Sequence, residues 1–176
     1  MEQAPHPLAW EEMRGPMGGL PATWWAVARH PYGAFERAPH GSLIRAVLFA
    51  VICTLLPMAV MWPLGFSPAG PVPWLVLLGF MPLNAAIIHV MFMALGAAGK
   101  NLGVTLRVAC YAQGPALLTV IPAAGLAGFA VWNLVILVYG LAAAHRTPVR
   151  LSLVANLIPV VFSLALSLSG AGALFQ

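Results

Sequence analysis

The chain has 176 residues, of which 61% are hydrophobic and only 7% charged, and its mean hydropathy is +0.92. A soluble domain carries about 25% charged residues, and eight Lys/Arg with four Asp/Glu cannot coat a soluble surface. Composition and the modest net charge of +4 argue against a soluble enzyme, a disordered chain and a nucleic-acid module, and for a membrane protein.

Residues 1–40 read as a cytoplasmic tail. Its beginning is polar and rich in Pro and Gly, and residues 21–38 mix aromatics with charges. Pro21 suits the first turn of a helix. Trp24, Trp25, Tyr32 and Phe35 suit the headgroup level of a bilayer. One or two short amphipathic helices lying along the membrane surface are expected here.

Residues 41–176 read as a transmembrane domain. Five apolar segments follow one another at about 46–64, 72–95, 104–121, 125–144 and 151–169, each near the roughly 20 residues that span hydrocarbon. Gly/Pro punctuation separates the first from the second and the third from the fourth, so neighbours run antiparallel. The bases test the count. With the N-terminus inside, Arg14, Arg29, Arg37, Arg45, Lys100, Arg107, Arg146 and Arg150 all fall on the cytoplasmic side and none on the other. Positive-inside bias therefore predicts five spans, N-in and C-out. The expected fold is an all-α, polytopic integral membrane bundle of five helices with short interfacial N-terminal helices. A β-barrel needs strands that alternate throughout, and only residues 163–169 alternate. At helical spacing Ser163, Ser167 and Ala171 instead form a small-residue stripe, as do Gly140 and Ala144.

Pro57, Pro82, Pro115 and Pro159 interrupt four of the segments. Each removes a backbone donor, and the freed carbonyls need partners from elsewhere. The strongest break is expected at Gln113-Gly114-Pro115. The span polar residues Asn84, His89, Tyr111, Gln113, Asn133 and Asn156 are candidates for an interhelical network at mid-depth. Lys100, Arg107, Arg146 and Arg150 are candidates for contact with anionic lipid, with Arg107 snorkelling from its helix start. His145 falls at an inner edge.

No Asp or Glu follows Glu36, which weighs against proton- or sodium-coupled transport. His-Glu-x-x-His and Gly-x-Ser-x-Gly motifs are absent, so no catalytic residue, metal or cofactor is expected. Cys53 and Cys110 show no disulfide or zinc spacing.

From His89 onward a family pattern emerges: Gly99-Lys100, then Thr105 and Arg107, Tyr111, Pro115, Pro122 with Gly125, Trp132, and Gly140-Leu141 with His145. With Trp10-Glu11 and Pro31…Phe35 upstream, the chain resembles the Yip (Ypt-interacting protein) family of five-pass membrane proteins, in its prokaryotic branch. The resemblance implies a compact five-helix bundle with a cytoplasmic N-terminus. It implies a non-enzymatic role in organising membrane or associating with other membrane proteins or itself. Eukaryotic members associate with prenylated Rab-type GTPases. This chain lacks their Asp-Leu-Tyr-Gly-Pro-like motif and long acidic domain, departures that weigh against GTPase binding. Its Ala, Gly and Pro content suits a bacterial cytoplasmic membrane. The expected partners are therefore the lipid bilayer and other membrane proteins, with no nucleic acid. The alternative is a small oligomeric permease or channel subunit with the Gln113 break and His89 lining a path.

Overall fold

The computed structural model describes residues 8–12, 19–37, 41–65, 72–121 and 124–168, and it describes no strand among them. Three short helices come first: α1 (Ala9–Glu12), α2 (Leu20–Arg29) and α3 (Pro31–Arg37). Long helices follow: α4 (Leu43–Met61), α5 (Val72–Ala94), α7 (Ala124–His145) and α8 (Val149–Leu168). Between α5 and α7 lies a divided element, α6 (Leu102–Tyr111) and then a 3₁₀ segment (Gly114–Val120). Among the described residues Leu43–Met61, Leu75–Ala94 and Ala124–His145 are long and apolar enough to cross a membrane. The chain is an all-α membrane bundle.

Local signals set the helix boundaries. Pro21 sits in the first turn of α2, where its missing N–H costs nothing. The Ser42 hydroxyl accepts from Arg45 N at 3.3 Å and caps α4. Asn101 Oδ1 accepts from Val104 N at 3.2 Å and caps α6. At the other ends α5 and α7 close alike. Gly96 N and Ala97 N return to the Met93 and Phe92 carbonyls, and Arg146 N and Thr147 N return to Ala143 and Ala142. These are left-handed helix endings. Gly96 takes the turn at φ 64°, and Arg146 takes it at φ 56°.

The buried side of α4 is Ala46, Phe49, Ala50, Cys53, Thr54, Pro57 and Met61, a three-and-four spacing that draws one helical face. Its other face exposes Ile44, Leu48, Leu56 and Val60. In water such a face would be an aggregation surface, whereas in a bilayer it is the wetted one. The core gathers Phe35, Phe49, Ile88, Phe92, Tyr111, Ile136 and Leu141. α4 packs on α6 and the 3₁₀ segment, α5 on α6 and α8, and α7 on α3, α8 and the 3₁₀ segment. Cys53 and Cys110 are both free and buried.

The N-terminal helices pack one face against the bundle, which the expectation did not include, and leave Trp25 and Tyr32 exposed on the other. Trp10, Val27 and Phe35 are buried, and Phe35 meets Tyr111 with ring centroids 6.0 Å apart. Phe35 is thus a core residue, not a headgroup aromatic. Gly140 makes room for it, because a Cβ there would stand 2.8 Å from the Phe35 ring. The expected Ser163–Ala171 stripe lies outside the described side chains.

Candidate functional site

At the break after Tyr111 the chain leaves α-helix geometry for a 3₁₀ segment, and carbonyls there accept side-chain donors. Asn133 Nδ2 donates to the Ala112 carbonyl at 2.7 Å, and Trp24 Nε1 donates to the Gly114 carbonyl at 2.8 Å. Both repairs come from outside the broken element, one from α7 and one from α2. Gln113, Gly114 and Pro115 are buried, so the break is packed against protein.

One turn before it lies the most polar node in the bundle. The Glu11 carboxylate accepts from Arg107 twice, Nε to Oε1 and Nη2 to Oε2, both at 2.8 Å. The Tyr111 hydroxyl donates to the same Oε1 at 2.8 Å. The two ion-pair side chains are 4% and 3% exposed. A two-pronged guanidinium–carboxylate pair of this kind is the strong form of the interaction. Arg45 completes the node from α4. Its Nη1 donates to the Trp10 carbonyl at 3.2 Å and also to the Glu11 carbonyl. Its own carbonyl accepts from Trp10 Nε1 at 2.8 Å, and Trp10 N donates to Thr23 Oγ1 at 2.8 Å. Gly41 covers the carboxylate, and a Cβ there would collide with it.

Arg107 is therefore not a lipid contact. Snorkelling keeps a long cation in touch with headgroups, but here an acid 96 residues earlier in the chain is packed against it and neutralises it. Equally, a carboxylate does enter the bundle, although none follows Glu36. The tail delivers it.

A second node sits near the α5–α6 and α7–α8 turns. Thr105 Oγ1 lies 2.9 Å from His89 Nδ1 and 2.9 Å from His145 Nε2. A hydroxyl has one proton, so at least one ring must present an N–H to it. Phe92 stacks on His145 at 4.9 Å. Gly99 is pressed on the His145 carbonyl, which a Cβ would strike. That contact brings the two turns together and places Lys100, Arg146 and Arg150 at one end of the bundle. Lys100 is half-buried and the two arginines are exposed.

The expected mid-depth network thus divides. Tyr111 joins Glu11 and Arg107, His89 joins Thr105 and His145, and Asn133 serves the break. Asn156 Nδ2 donates to Ser152 O of its own helix at 2.7 Å, while Ser152 Oγ ties α8 to the Val138 carbonyl at 2.7 Å. Gln113 is buried beside the break with Oε1 unpartnered. Asn84 is half-buried on α5. Among the described residues no group of three or more His, Cys, Asp or Glu could hold a metal ion. Residue-type reasoning gave Glu11 and Thr105 no role in these nodes, and it read Trp24 as a headgroup aromatic where the structure makes it a partner of the break.

A family model described as the Yip1 domain matches residues 25–171. The chain belongs to the Yip1 domain family. No curated protein and no solved structure matches. The Yip1 domain match takes in half of α2, all of α3, His89, His145, Arg107 and Tyr111. Glu11 lies before its first residue. The polar node therefore joins a residue outside the Yip1 domain match to residues inside it.

Proposed function

We propose that this Yip1 domain protein acts without catalysis, organising membrane and associating laterally with other membrane proteins. In this reading residues 41–176 form five spans of a bacterial cytoplasmic membrane, N-in and C-out, and residues 1–40 stay on the cytoplasmic side. The observation that carries it is the basic end of the bundle. Lys100, Arg146 and Arg150 come from two different turns held together at Gly99 and His145. Bases so placed attract anionic headgroups at about 1 kcal/mol each near the surface. Arg146 supports this further. A non-glycine residue in the left-handed region costs roughly 1 kcal/mol, and the matching turn after α5 uses Gly96. Keeping an arginine there retains a charge where glycine would fit with less strain.

Native mass spectrometry tests the lipid arm. Replacing Lys100, Arg146 and Arg150 with Gln is expected to cut retention of anionic over zwitterionic lipid by about tenfold or more, from three bases at the surface. Unchanged retention contradicts it. Crosslinking in native membranes tests the protein arm, and the account expects a specific membrane partner or a self-adduct.

A further inference from the structure

The α2–α3 pair lies alongside α7. Phe35 packs at Gly140, and the Ala28 carbonyl accepts from Trp132 Nε1 at 2.8 Å. Counted from His145, these positions are about 7 and 20 Å along the helix axis. α7 has 22 residues, so it runs about 33 Å, close to the roughly 30 Å of hydrocarbon. Trp24 gives an independent marker. It bonds Gly114 beyond the end of α6, roughly 18 Å from Leu102. The joint between the two short helices, with Arg29 and His30 both exposed, is thus more than half-way along a span.

The surroundings of this joint are those of a headgroup zone. Trp25, Tyr32, Trp132 and Tyr139 are 56%, 41%, 42% and 43% exposed, and the Arg29 guanidinium lies 5.7 Å over the Trp25 ring. Trp132 and Tyr139 are seven residues apart and share a helix face. Half-exposed Trp and Tyr belong at the membrane–water boundary, and a cation in hydrocarbon is costly. Elsewhere the demand is different. α4 exposes Ile44, Leu48, Leu56 and Val60 over a helix of about 28 Å. From Trp132 back to Ala124, the start of α7, is eight residue steps, about 12 Å. The two sides of one bundle ask for bilayers of different thickness.

We propose that the α2–α3 pair thins the leaflet on the His145 side of the bundle, drawing phospholipid headgroups down beside Trp132, where Arg29 binds a lipid phosphate. The aromatic rim and the cation favour a phospholipid over a protein occupant. This inference rests on the reading that α4 and α7 span the membrane, and it names lipid as the partner of the N-terminal helices.

The test uses the full chain in vesicles of phosphatidylcholine and phosphatidylglycerol, with Cys53 and Cys110 replaced by Ala. Single cysteines are placed at Ala26 beside the joint, at Leu56 and at Pro148 in the α7–α8 turn. Leu56 lies about 20 Å from the start of α4, the same depth as the joint. A membrane-impermeant maleimide is supplied to both faces. The account expects Ala26→Cys to react within about tenfold of Pro148→Cys, and Leu56→Cys at least about a hundredfold more slowly, since hydrocarbon excludes the reagent. Adding Arg29→Gln should slow labelling at Ala26→Cys by about tenfold, and Arg29→Lys should keep it fast. If Ala26→Cys is as slow as Leu56→Cys, the thinned leaflet is wrong. If Arg29→Gln changes nothing, the phosphate assignment is wrong. If all three cysteines react alike, α4 does not span and the underlying membrane reading fails with it.

Discussion

Thr105 illustrates how little side chain is needed to join three elements. Its hydroxyl links α5 to α7 through two imidazoles. Thr105→Val keeps the shape and removes the bridge, leaving two buried ring nitrogens without partners. That should cost about 1–3 kcal/mol for each unsatisfied group, read as a lower unfolding temperature in detergent. Thr105→Ser should retain most of the stability, and equal loss in both variants would refute the bridge. Arg146 makes the opposite case. Arg146→Gly should raise stability by up to about 1 kcal/mol by relieving a left-handed non-glycine residue, while weakening anionic-lipid retention. A stability loss on that substitution would show that the guanidinium has a structural partner. At this scale the sequence was partly readable. His89 and Tyr111 stood out as polar groups in apolar runs. Their partners did not, because Thr105 is common in helices and Glu11 is distant in the chain. One signal was available: a buried Arg107 needs an acid, and only four acids exist, all before Arg45.

Elements were more legible than residues. The hydrophobic runs and Gly/Pro punctuation anticipated α4, α5, α7 and α8, and the Gln113-Gly114-Pro115 interruption anticipated the split into α6 and the 3₁₀ segment. What composition could not reveal was the path of α2 and α3. Their mixture of aromatics and charges reads equally as a surface helix and as a segment docked on a bundle. Gly140 decides it, because its missing side chain is the seat of Phe35. Gly140→Ala would force that ring aside and should destabilise by about 1–3 kcal/mol. Phe35→Leu in the same chain should recover part of the loss, since neighbouring changes couple. Additive losses would mean the two residues do not meet. Trp24→Phe tests the other seat of α2. It removes the donor to the Gly114 carbonyl and should cost about 0.5–1.5 kcal/mol, with the loss appearing in thermal unfolding.

For the whole molecule, charge placement explains more than hydropathy does. Lys100, Arg146 and Arg150 gather at one end of the bundle, and residues 1–40 carry all four acids. One of those acids is folded back on the bundle, so the N-terminal segment and the membrane domain are a single packed unit. The Glu11–Arg107 pair is the buried ion pair in that joint. A buried pair adds little net stability, but breaking it strands a charge at a cost of about 3–5 kcal/mol. The most direct test is a charge-reversal cycle read by thermal unfolding of the full chain in lipid nanodiscs. Glu11→Arg and Arg107→Glu should each destabilise by about that amount, and the double variant should recover at least half of the combined loss. A double variant as unstable as the sum of its parts would contradict the docked N-terminal segment.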